Sequence, residues 1–226
     1  MQRTTSERVF EEFCHASGID CRRIPETDTR TPDYELFLND VRVVVEVKEM
    51  APNDAERESD RVVKERGYGV ASSETPCARV RKKIADSSGQ IKARTEGTHP
   101  SILVLFDKGR IARHLDPYQI QVAMYGLEQI YLAVPPIGEG SPYKVGAGHG
   151  PKRKMTDQHN TSISAVGALV MTAPAQTELH VYHNRFAHIP LDPALLGRPG
   201  VAQFQIAEST TGRASEWREL PIDQEP

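Results

Sequence analysis

Two strand-length runs, DYELFL (33–38) and VRVVVEVK (41–48), are separated by nothing but Asn39 and Asp40. Both are rich in β-branched and aromatic residues, and a two-residue link joins strands only as an antiparallel hairpin whose turn needs backbone conformations that Asn and Asp tolerate. A hairpin here commits the neighbouring chain to a sheet. The second run also ends abnormally, closing with Glu46-Val47-Lys48 after three valines. Alternate strand residues share a face, so Glu46 and Lys48 project to one side while Val47 points into a core.

The flanking segments supply the rest of an α/β protein with a mixed central sheet. Val9, Phe10, Phe13 and Cys14 recur at helical spacing, predicting a first helix from Thr5 to about Ala16, with Thr5 or Ser6 as N-cap and Gly18 as stop. IDCRRIP reads as a short strand, followed by the polar turn ETDTRT. Residues 49–78 are charged and small with little periodicity, and are expected to form an irregular insertion holding at most a short helix. From Arg79 an apolar stripe (Val80, Ile84, Ser87, Ile91) runs beside a polar one (Arg79, Lys83, Asp86, Gln90, Arg94), which predicts a second helix. SILVLFD (101–107) has the continuous apolar character of a strand covered on both faces.

Residues 116–130 read as a third helix, with Asp116 as N-cap and Pro117 in its first turn. Strands are expected at 131–134, 162–171, 177–184 and 203–208, a Gly- and Pro-rich loop at 135–160, and a tail in ELPIDQEP. The expected division is a core over 1–110 and an α+β extension over 111–226, which extends the sheet or serves dimerisation and substrate selection.

Composition removes several function classes. With 226 residues and a formal charge of -3, the chain is no polycation that binds nucleic acid by counterion release alone, although a local basic groove is compatible with that charge. Its three cysteines lack CxxC spacing, so neither a disulfide framework nor a structural zinc site is expected. MQRTTSERVFEEF has no apolar signal core and no run is long enough to span a bilayer, so a cytoplasmic protein without a membrane role is expected. Lys152-Arg153-Lys154 forms a weak basic patch, and the glycines around it do not spell a phosphate loop. His183, Asn184 and His188 are too compact for a ββα-metal nuclease and read as strand-end residues bonding a nearby loop; Ser162 and Ser164 lack a nucleophile elbow.

What remains is the hairpin. In-line cleavage of a phosphodiester requires a cation to offset developing charge, carboxylates to hold it, and a group that orients or deprotonates water. Asp33 and Glu46 offer the hard oxygens that Mg²⁺ prefers, the Val47 carbonyl offers a further one, and Lys48 supplies a compact positive charge beside the attacking water. Mn²⁺ would substitute.

Pro32-Asp33, a hairpin-length gap and Glu46-Val47-Lys48, within the order helix, three strands, helix, strand, resemble the PD-(D/E)xK nuclease superfamily of restriction endonucleases and Holliday-junction resolvases. The resemblance covers roughly the first half of the chain. It implies a restriction endonuclease-like αβββαβ core, with hydrolysis leaving a 5′-phosphate and a 3′-hydroxyl. It also implies a first-helix glutamate at the site, Glu7 or secondly Glu11, and a polar residue, Gln90, on the helix after the hairpin. Lys83, Arg94 and Arg79 would then meet backbone phosphates. The implied partner is DNA, with RNA left open, acted on by a homodimer in restriction, repair or phage defence and in company with a targeting protein. The alternative is a non-catalytic nucleic-acid-binding or protein-interaction module on the same fold. The long insertion after Glu49 and the second half depart from the family pattern.

Overall fold

Asn39 and Asp40 both adopt positive φ, 48° and 65°, and close the hairpin with Leu38 opposite Val41. The computed structural model of the chain describes residues 3–25, 31–68, 77–108, 115–173, 176–209 and 214–221. Among them the order is α1 (Thr5–Ala16), β1 (Asp20–Arg23), β2 (Tyr34–Leu38), β3 (Val41–Met50), α2 (Asp54–Arg66), α3 (Ala78–Thr95) and β4 (Ser101–Asp107). There follow α4 (Pro117–Tyr125), β5 (Glu128–Ala133), β6 (Tyr143–His149), β7 (Ala165–Ala173), β8 (Gln176–His183), β9 (Val201–Ala207) and β10 (Glu216–Glu219).

Eight strands form one mixed sheet in the order β1-β2-β3-β4-β7-β8-β9-β10. The meander β1-β2-β3 is antiparallel, β3, β4 and β7 run parallel, and β8 and β9 form a further parallel pair beyond the antiparallel β7-β8 step. One face packs Phe10 and Phe13 of α1 on Leu36, Val45 and Val104. The other packs Val80, Ile84 and Ile91 of α3 and Ile120 of α4 on Leu103, Leu105 and Val166. The chain is therefore an α/β protein, and β7 to β10 continue the same sheet as the first-half strands. No helix among the described residues is long and apolar enough to cross a membrane, and all three cysteines are free thiols.

Several local expectations change. The N-cap of α1 is Thr4, because Thr4 and Glu7 satisfy each other's backbone N–H groups in a capping box. The segment after Glu49 is more regular than its composition suggests: β3 runs on to Met50, and α2 occupies 13 residues between the capping box of Asn53 with Glu56 and the left-handed Gly67. It buries no residue, so no apolar stripe announces it; caps and the pairs Arg57–Asp54, Arg61–Glu58 and Arg61–Glu65 hold it. Residues 69–76 of that segment lie outside the described ones.

The third helix is shorter than its pattern. It stops at Gly126, and Glu128–Ala133 is strand β5, paired with Tyr143–His149 out of the expected loop. Glu216–Glu219, which takes in the first residue of the expected tail, pairs with β9 as a last strand. Gly126 makes the change of direction at φ 96°, where a Cβ would lie 2.6 Å from the Gly150 carbonyl oxygen. Backbone cannot yield there cheaply. Gly126→Ala is expected to destabilise the fold by roughly 2–4 kcal/mol, whereas Gly18→Ala, at φ 64° with nothing within 4 Å, should cost about 1 kcal/mol. Urea denaturation of the two variants measures the difference.

Candidate active site

β3 carries the centre of the site. Its register sets Glu46 beside Leu103 and Lys48 beside Leu105, both in the core under α3, and Val47 beside Val104 in the core under α1. Glu46 and Lys48 thus share the α3 face, as alternation requires. The Val44 N–H donates to the Pro100 carbonyl and the Met50 carbonyl accepts from the Lys108 N–H, the residues that flank β4, so the backbone groups of the intervening odd residues point toward β2. But β2 begins only at Tyr34, opposite Val45, and leaves the N–H of Val47 without a strand partner. The Asp33 carboxylate takes that N–H, at 2.7 Å, while the Asp33 N–H donates to the Val45 carbonyl at 3.1 Å. A residue's N–H and C=O leave a strand on the same side, which directs the Val47 carbonyl toward the edge where Asp33 sits.

Glu46 is wholly buried, and among the described residues neither carboxylate oxygen has a hydrogen bond of good geometry. Lys48 is in ion-pair contact with its Oε1. Burial, then the charge of Asp33, pushes Glu46 up to about 7, against Lys48 and Gln90, which lower it. Asp33 is also raised, by burial first and by Glu7; the bond from Val47 and the charge of Lys48 act in the opposite sense. The Lys83 ammonium is depressed by burial and by Lys48, which places it toward the same centre. Asp33, Glu46, Lys48, Gln90 and Lys83 therefore come together, and Glu7 reaches Asp33 through its charge.

Apart from Asp86, which is exposed and pairs with the exposed Lys82, the polar stripe of α3 is half-buried. It runs along β3, with Arg94 donating to Glu35 at 2.6 and 3.0 Å, Gln90 at Glu46, Lys83 at Lys48, and Arg79 donating to Glu56 at 2.7 Å and to the Ala51 carbonyl. Arg42 also pairs with Glu35. Of the three residues expected to meet phosphate, Arg79 and Arg94 are thus engaged inside the protein, and Lys83 faces the site.

The Glu7 carboxylate accepts from the Thr4 N–H at 2.6 Å, the Thr4 hydroxyl at 2.8 Å and Arg23 at 3.2 Å. It caps α1, and the Thr-x-x-Glu spacing carried that signal. Glu11 is held by Arg3 and by the Tyr34 hydroxyl, on a separate cleft of about 500 Å³. Two residues at the rim escaped the sequence reading. Arg23 ties Glu7 and lowers Asp33. Glu49 accepts from the Ser6 N–H and from Lys108, joining α1 to the residue after β4. The His183–Asn184 pair is structural: His183 Nε2 lies 3.0 Å from Gln203 Oε1, Asn184 donates to the Ile163 carbonyl, and burial lowers the His183 imidazole.

Among the described residues no group of three or more His, Cys, Asp or Glu side chains forms a ligand set. Comparison with protein-family models, with curated proteins and with solved structures gives no match for this chain.

Glu46 and Asp33 hold protons more tightly folded than unfolded, so the metal-free fold is most stable with them protonated. It loses stability as pH rises from the ordinary carboxylate range through about 7. Glu46→Gln is expected to flatten that loss and raise Tm above neutral pH. Melting curves in EDTA between about pH 5 and pH 9 check it; an unchanged profile would show that Glu46 is not the group responsible.

Proposed function

We propose that this protein is a Mg²⁺-dependent nuclease that hydrolyses DNA phosphodiester bonds at the Asp33–Glu46–Lys48 site. The observation that carries the reading is the Glu46 carboxylate, wholly buried in the middle of β3 near the Asp33 carboxylate, with the Lys48 ammonium in ion-pair contact and neither oxygen in a well-formed hydrogen bond. Two buried carboxylates that share one ammonium cost stability unless a further cation or a proton meets them. The donors suit Mg²⁺, which takes hard oxygens, is commonly held by one or two carboxylates and keeps several waters. Asp33, Glu46 and the Val47 carbonyl would hold it, and no third carboxylate is needed. The metal would supply charge stabilisation at the scissile phosphate and a more acidic water.

The chain's own residues do the rest. The bond from the Val47 N–H fixes the Asp33 carboxylate against β3. The Lys48 ammonium, which contacts Glu46, would orient water and offset charge on the phosphate. Gln90 orients Glu46 from α3, and Lys83 adds positive charge where a DNA strand would approach. Arg23 and Glu7 hold the wall behind Asp33. The succession α1-β1-β2-β3-α3-β4, with β4 parallel to β3 and α2 inserted, supports a restriction endonuclease-like core. Restriction, repair or phage defence is the setting such an activity would serve.

The test is cleavage of labelled linear duplex, single-stranded and branched DNA, and of RNA, with Mg²⁺, Mn²⁺ or EDTA. Metal-dependent cutting is expected to fall roughly 100-fold or more in Lys48→Ala and Asp33→Asn. By calorimetry, Mg²⁺ binding should be lost in Asp33→Asn and retained in Lys48→Ala. Absence of both cutting and Mg²⁺ binding in the wild type overturns the reading in favour of a non-catalytic module.

A further inference from the structure

β5 and β6 form a two-stranded ribbon outside the main sheet. Its base is anchored: the Gly150 N–H donates to the Leu127 carbonyl at 2.7 Å, His149 Nε2 lies 2.8 Å from the Ser215 hydroxyl, and Glu128 accepts from the Ala214 N–H. Beyond that base the ribbon has no sheet partner. Eight of the eleven large hydrophobics exposed among the described residues lie between Leu127 and Val145, so the apolar surface is gathered in one feature. Ile130 (60%), Leu132 (58%), Val134 (74%) and Tyr143 (60%) line it, and Ile137 at the tip is fully exposed.

Alternation puts Ile130 and Leu132 on one face of the ribbon and Tyr131 on the other, lying against Gly146 and Gly148. Both faces are therefore apolar. Eight exposed apolar side chains gathered on one ribbon are unlike the singly scattered hydrophobics of an ordinary monomer surface.

Charge selects the occupant. Between Ile130 and Gly148 the ribbon carries one acid, Glu139, and one base, Lys144. A strand of phosphates needs several cations, which this surface lacks. A two-fold contact sets a patch against its own copy, so a repeated like charge would repel; here the single Lys144 can face the partner's single acid, and the rest is apolar. We propose that the β5-β6 ribbon is the dimerisation arm of this protein, its face bearing Ile130 and Leu132 set against the same face of a second copy. This deepens the nuclease reading, because cutting both strands of a duplex needs two sites, but the contact itself stands on the ribbon's chemistry.

Sedimentation equilibrium of the full chain, with and without Ile130→Asp/Leu132→Lys, tests it without reference to cleavage. The wild type is expected to be a dimer at micromolar concentration. The double variant should be a monomer with unchanged circular dichroism and Tm, since both side chains lie outside the cores. A monomeric wild type, or a variant that remains dimeric, overturns the proposal. A monomeric wild type whose affinity for duplex DNA falls in the same variant would assign the ribbon to nucleic acid instead. If dimerisation is lost as expected but no nuclease activity exists, the dimer arm stands and only the catalytic reading fails.

Discussion

The ten-residue strand β3 outruns its five-residue partner β2, and the site depends on that mismatch. Where β2 gives out, the sheet still has a backbone donor to satisfy, and an unpaired buried N–H is costly. The Asp33 carboxylate meets the Val47 N–H and is thereby fixed beside the last turn of the pleat. On the other edge β4 continues in register past Lys48 to Met50, so β3 stays paired on that side while the side toward β2 is open to side-chain chemistry. Position follows from strand length before any catalytic demand is made.

The electrostatics follow from the same burial. A surface glutamate beside a lysine would be an ordinary solvated pair worth little. At Glu46 solvent is removed, a second carboxylate stands nearby, and one ammonium is a partial answer. The fold carries an imbalance at one point while neutralising its neighbours: Glu35 has Arg42 and Arg94, Glu56 has Arg79, and Glu49 has Lys108. That selectivity marks the pair Asp33 and Glu46 as different in kind from the other acids around α3.

Much of this was legible in the residue pattern, and what was not has physical reasons. The hairpin, the buried stripe of α3 and the strand SILVLFD are encoded by local period and turn chemistry, which depend little on what surrounds them. α2 escaped because it buries nothing, so its signal lay in caps and ion pairs. Of the β5-β6 ribbon only 131–133 fall in an expected strand; β6 falls in the expected loop because its residues have no core to alternate against and glycines replace side chains where Tyr131 lies. Within the site, Asp33, Glu46 and Lys48 could be read from one short stretch. The pairing of Arg94 with Glu35, 59 residues apart, and the link from Glu49 to Ser6 are products of tertiary packing and had no local signature.

The absence of buried residues in α2 has a consequence for how the molecule opens. Its cross-element tether is the pair of Arg79 with Glu56, reinforced by the bond from Arg79 to the Ala51 carbonyl. Separating it from α3 uncovers no fully buried side chain, Val62 and Val63 being only half-buried, so its amide hydrogens are expected to exchange with solvent through local opening, at a free energy below that of the whole protein. Those of β3 and β4 are released only when the sheet itself comes apart. The residues just after β3 thus belong to the least cooperative part of the fold, and Lys48 and Glu46 to the most.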